Sequence, residues 1–178
     1  MKCPKCRSTD LMPTRLEHGL PVMGCDDCGG SLLGLLYYRD WAERLDPEEL
    51  DGDLPALVEM DDDTTTAMAC PKCARMMTKF SIASEHRNRI DLCGSCDEAW
   101  LDDSEWNLLK SLELAHKLPR VFTDQWQRRV RDEKMQALRE ERLRRVVGED
   151  DAARAVAIRS WLQDNRHKAT IVQFIGSD

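Results

Sequence analysis

Cys3-Pro4-Lys5-Cys6 and Cys25-Asp26-Asp27-Cys28 recur downstream as Cys70-Pro71-Lys72-Cys73 and Cys93-Gly94-Ser95-Cys96. The first pair repeats at an offset of 67 residues and the second at 68, so the later copy has one extra residue between its pairs. Glu17-His18 returns as Glu85-His86, and Val22 matches Ile90. All eight cysteines fall inside the repeat. A duplication of this kind is one supersecondary unit used twice.

A Cys-x-x-Cys pair on a tight turn presents two sulfurs to one ion at about 2.3 Å, and a second pair completes a tetrahedron. The spacing therefore predicts one Zn2+ on Cys3, Cys6, Cys25 and Cys28 and another on Cys70, Cys73, Cys93 and Cys96. Between the pairs there is room for a hairpin: Leu11–Leu16 and Leu20–Gly24 around Glu17-His18-Gly19, then Met77–Ala83 and Arg89–Leu92 with a turn near Asn88. Each copy is then a zinc ribbon. His18 and His86 sit at the hairpin tips, far from the knuckles, and read as turn or contact residues. A unit of roughly 45 residues buries too little apolar surface to fold unaided. Structural zinc contributes about 10–16 kcal/mol in small peptides, which is enough to decide the matter.

Other uses of the cysteines fit less well. Disulfides suit an even count, but Met1-Lys2-Cys3-Pro4 has no apolar export segment, which predicts a cytoplasmic, reducing setting. A thioredoxin-like redox role needs one Cys-x-x-Cys at a helix start, not four in matched sets. Rubredoxin-like iron uses the same four thiolates and stays open. Catalysis is not expected, because four protein ligands close the coordination sphere. Hydrolase, zinc-protease and phosphate-loop motifs are also missing.

The second copy resembles the transcription factor IIB-type zinc ribbons of bacteria through Cys70, Pro71, Cys73, Cys93, Cys96, Trp100-Leu101-Asp102 and Glu105. Asp97-Glu98 stand where that family has two glycines, and Ser104 where a glycine is usual. The first copy keeps Gly29-Gly30 but has Leu32-Leu33-Gly34 in place of Trp-Leu-Asp. The resemblance covers about half of the chain. It implies zinc and a contact surface, not promoter binding, and leaves a regulator linked to transcription as one form of the expected role. Trp100 is expected to cover a zinc knuckle, and Asp102 to cap the next helix in a capping box with Glu105.

Working outward, charged residues make up 33% of the chain, which predicts small modules joined by exposed helix rather than one core. The expected divisions are ribbon 1 at 1–45, an acidic linker at 46–67 with a helical turn at Pro47–Leu50, ribbon 2 with its trailing helix at 68–118, and a helical arm at 119–178. The formal charge of −7 becomes −11 once eight thiolates and two divalent ions are counted. That charge opposes nonspecific wrapping around nucleic acid. Residues 1–119 are acidic, with 13 Lys+Arg against 23 Asp+Glu, whereas 120–178 hold 13 against 10. No apolar run approaches the length of a membrane span.

Helices are expected over 104–117, over 124–147 with Thr123 as cap and Gly148 as stop, and over 151–166 capped by Asp150. The last apolar run, Ala169–Ile175, reads as a strand or extended tail that docks within the chain, on a partner's sheet or on a second copy. Arg128, Arg129, Arg131, Arg142, Arg144 and Arg145 are the candidate partner-binding residues, facing an acidic protein or nucleic acid. The fold class expected is α+β. The expected role is a non-enzymatic adaptor whose partner is another protein, with nucleic-acid binding and iron electron transfer as alternatives.

Overall fold

The computed structural model describes residues 1–45 and 66–177. The acidic stretch and the turn expected at Pro47–Leu50 fall almost wholly outside them. The fold is α+β, with a six-stranded antiparallel sheet and, among the described residues, five α-helices. The strands are β1 (Met12–Arg15), β2 (Pro21–Gly24), β3 (Ser31–Gly34), β4 (Thr78–Ser81), β5 (Arg89–Cys93) and β6 (Glu98–Leu101). The helices are α1 (Leu35–Arg44), α2 (Glu105–Ser111), α3 (Asp124–Val147), α4 (Glu149–Gln163) and α5 (Lys168–Ile175).

The sheet order, β1-β2-β3-β6-β5-β4, places the two repeats back to back. At the seam Leu32 pairs with Trp100, Ser31 with Leu101 and Leu33 with Ala99. Leu32 and Trp100 hold the same position in their repeats, so a local two-fold relation runs through this pair. The expected hairpins are both present. The third strand of each repeat was not expected, and it is what joins the halves. Where composition pointed to separate modules, the described residues up to Arg131 form one compact unit. Central strands β3 and β6 are buried on both faces, which lets two small units share a core neither could supply alone.

Alternation along the strands sorts that core into two layers. Leu33, Ala99, Leu101, Val22 and Ile90 join Leu35, Tyr38, Trp41 and Trp106 on the helical side. Leu32 and Trp100 pack instead with Cys3, Cys25, Cys70 and Cys93. Bonds between the repeats hold both layers. Tyr38 donates to the Ala115 carbonyl at 2.8 Å and accepts from the Leu118 N–H at 3.0 Å. Lys110 Nζ donates to Glu17 at 2.6 Å, and the Leu35 N–H to the Asp97 carbonyl at 2.8 Å. Burial pushes the Tyr38 phenol up to about 12, so it stays a neutral donor.

The division of the glycines and the tryptophan between copies follows from the seam. A Cβ on Gly30 would lie 2.3 Å from the Trp100 ring, and one on Gly29, at φ +68°, would lie 2.4 Å from Asp103. The first repeat keeps both glycines because the second lays its bulk across them. Trp100 therefore covers the knuckle of the other repeat, beyond the role expected from its own.

Helix ends differ from the sequence reading in three places. The helix expected over 104–117 stops at Ser111, where Glu113 turns to φ 55° and the chain enters a short 3-10 turn at Leu118–Arg120. Glu105 does accept from the Asp102 N–H at 2.9 Å, but the Asp102 carboxylate faces the Trp100 indole at 3.1 Å and Lys5 at 3.3 Å instead of capping. Helix α3 runs as expected, with Thr123 Oγ1 accepting from the Trp126 N–H. Past Gly148 the chain turns directly into α4, so Gly148 rather than Asp150 precedes the helix. Residues 169–175 are helical, not extended. The Asn165 side chain accepts from the His167 N–H and the Ile171 N–H bonds to the His167 carbonyl, nucleating a turn that a short apolar run cannot reveal.

Sheet edge β4 is covered by the start of α3. The Gln127 side-chain amide donates to the Ser81 carbonyl at 2.9 Å and accepts from its N–H at 3.1 Å, mimicking a neighbouring strand. The Trp126 indole donates to the Ile82 carbonyl at 3.0 Å.

Gly30→Ala is expected to lower the unfolding free energy by about 1–3 kcal/mol through overpacking against Trp100. Gly94→Ala, with nothing within 4 Å of its new Cβ, should cost no more than about 0.5 kcal/mol. Urea denaturation of the two variants makes the comparison.

Candidate metal centres

Each repeat folds so that its two Cys-x-x-Cys turns converge. The four turns share one geometry: the N–H of the residue after the second cysteine bonds back to the carbonyl of the first. Arg7, Gly29, Ala74 and Asp97 donate to Cys3, Cys25, Cys70 and Cys93 at 2.8 to 2.9 Å. All four donors have positive φ, from 54° to 68°. Only one is glycine. Left-handed backbone costs other residues roughly 1–2 kcal/mol each, so something outside the turn must hold it there.

The sulfurs supply the reason. In each group all four Sγ atoms lie within 4.8 Å of one another. Contacts of 3.7 Å for Cys3–Cys28, 3.8 Å for Cys6–Cys25 and 3.6 Å for Cys73–Cys93 are recorded. Sulfurs bound at about 2.3 Å around one tetrahedral ion stand about 3.8 Å apart, so the quartets are already spaced for metal. They are too far apart for disulfides, whose sulfurs lie about 2 Å apart, and all eight cysteines are free. The eight predicted ligands are thus brought together in the predicted sets, one per repeat. Each could hold one metal ion. The first cysteine of every pair is buried and the second lies nearer solvent.

His18 lies in the hairpin turn at φ 51°, where its carbonyl accepts from the Trp41 indole at 3.2 Å. Neither His18 nor His86 belongs to a ligand group.

Protonation of the metal-free quartets is uneven. Burial pushes the Cys28 thiol well above its ordinary range and raises Cys70 as well. The contact with Cys73, helped by desolvation, pushes Cys96 up to about 12. Cys73 is pulled down to about 7, first by the Arg75 backbone N–H and then by contact with Cys96. Near neutral pH each quartet therefore keeps protons that a metal must expel.

The six candidate arginines are exposed along α3. Arg129 lies over the Trp126 ring at 3.9 Å, Arg144 pairs with Glu149 at 3.3 Å, and Arg145 pairs with Glu141. Among the described residues none forms a hydrogen bond or ion pair with Arg128, Arg131 or Arg142. Sequence reading missed the supports rather than the ligands: α1, the third strands and the contact of Trp100 with Gly30. Leu35, Tyr38 and Trp41 at helical spacing were the available signal for α1. No helix among the described residues is long and apolar enough to cross a membrane.

Comparison with family models, curated proteins and solved structures finds none that matches the chain.

Metal uptake should release protons, and its apparent affinity should rise as pH rises from about 6 to 8, because thiols must become thiolates. A metal-sensitive dye titration with parallel proton counting measures both. Unchanged affinity across that range would contradict this protonation pattern.

Proposed function

We propose that each repeat is a zinc ribbon of the transcription factor IIB type holding one structural Zn2+. The chain is then a non-enzymatic adaptor in a reducing compartment, with the ribbons as platform and the C-terminal helices as the contact element. The observation that carries the metal part is the closed set of four thiolates in each repeat. A catalytic zinc keeps a position open for water or substrate, and here protein sulfur takes all four. Iron would accept the same ligands.

The contact part rests on the second compact unit, residues 132–178. Among its described residues the one buried core side chain is Ala152, while Met135, Leu138, Ile158, Trp161, Phe174 and Ile175 are all at least half exposed. A soluble chain rarely leaves so many large apolar groups in water without a partner to cover them. Another protein is the partner these groups suit best. Arg128, Arg131 and Arg142, without bonds to any of the described residues, favour nucleic acid as the second reading.

Protein purified without added metal should contain two zinc ions and no iron per chain by elemental analysis. Cys93→Ser should remove one ion and destabilise the fold, whereas Arg142→Glu should leave metal content and thermal stability unchanged. Under one ion per chain in the wild type would refute the zinc reading. Affinity for duplex DNA that falls steeply between about 50 and 200 mM salt would replace the protein partner with nucleic acid.

A further inference from the structure

The second compact unit, residues 132–178, has almost no core of its own. Neither layer of the sheet core includes a residue beyond Trp126. Within the unit α4 buries Ala152 alone, and α5 buries no side chain. Helices shorter than about 12–15 residues are marginal in water without a covering surface. Helix α5 has 8 residues and α4 has 15, so both need one.

The apolar surface left in water is large. Nine sizeable apolar side chains from Met135 to Ile175 stand exposed, with Phe174 at 80% and Trp161 at 56%. An aromatic side chain covers about 150–250 Å² and an aliphatic one somewhat less, so the nine leave on the order of 1,000 Å² uncovered. A standard protein interface takes about 800 Å² from each partner, which this surface can supply.

The charges say which partner. Residues 132–178 carry 9 Lys+Arg and 9 Asp+Glu, a balance of zero, whereas residues 1–131 carry 17 against 24. A strongly charged partner, nucleic acid included, meets as many repelling groups as attracting ones on such a surface. A second copy meets its own complement. Among the described residues, none forms a hydrogen bond or ion pair with Arg139, Arg142 or Arg159, and none with Asp150. Two-fold pairing brings unsatisfied groups of both signs to each side of one interface.

We infer that a second copy of this chain covers these helices, making a two-fold dimer joined through residues 132–178. The inference rests on the reading of the C-terminal helices as the contact element, and it names what they contact.

Sedimentation equilibrium of the zinc-loaded full chain tests it, from about 1 to 100 µM with a non-thiol reductant present. The particle should have twice the 20.5 kDa chain mass, with a Kd below about 10 µM. Leu138→Ser, Trp161→Ser and Phe174→Ser, truncations at exposed positions, should each raise that Kd at least about tenfold. Leu36→Ser, at an exposed position of α1, should leave it unchanged. Metal content of each variant reports that the first unit is folded. A dimer with the same Kd in all three variants overturns the inference by placing the contact elsewhere, and a monomer at about 100 µM overturns it outright. Hydrogen exchange on that monomer separates this failure from failure of the contact reading. Weak protection across 149–175 would leave a contact element for a different partner. Protection equal to that of β3 would mean that the chain covers its own helices, and the contact reading would fall as well.

Discussion

Four sulfurs brought to one point, twice, are the constraint on which this fold depends. Each quartet closes two turns whose pivotal residues have left-handed backbone, three of them without the freedom of glycine. Such turns do not persist unaided. A metal ion bound by four thiolates would over-determine them and fix where each hairpin starts and ends. In units this small, such coordination would take the part that a large apolar core plays in bigger domains.

The seam between repeats supplies the rest. Pairing β3 with β6 turns two three-stranded units into one sheet, buries both central strands and, among the described residues, puts the edges at β1 and β4. Duplication gave two equal halves, but the packing is unequal. The first repeat presents Gly29 and Gly30, and the second lays Trp100 and Asp103 over them. Neither half carries both parts of that contact, so the features missing from each copy are found in the other.

Much of this could be read in the chain beforehand because cysteine spacing is a local signal with a strict geometric meaning. Ligand sets, hairpins and the long helix α3 all follow from short-range patterns. What stayed hidden depended on distant residues. The strands Ser31–Gly34 and Glu98–Leu101 are four residues each, too short for a period to show, and they are strands because they pair with one another. Ala169–Ile175 failed for a related reason: a mostly apolar run of seven residues fits a strand or two turns of helix equally well, and the Asn165–His167 turn decides. The arginines of α3 were legible as a charged surface, but three of the six are engaged by Trp126, Glu141 and Glu149 within the chain.

Two joined cysteine-quartet repeats and a largely uncovered helical segment suit the proposed division of labour between platform and contact element. Its central physical claim is that the halves are coupled, so that the state of one sulfur quartet is felt in the other repeat through the Leu32–Trp100 seam. Hydrogen exchange on Cys73→Ser, which opens the second quartet, tests this most directly. The account predicts that amides of Leu32 and Leu33, in the first repeat, lose protection by about tenfold or more while the first quartet keeps its ion. Unchanged protection at Leu32 and Leu33, with loss confined to β4, β5 and β6, would show two independent units and contradict it.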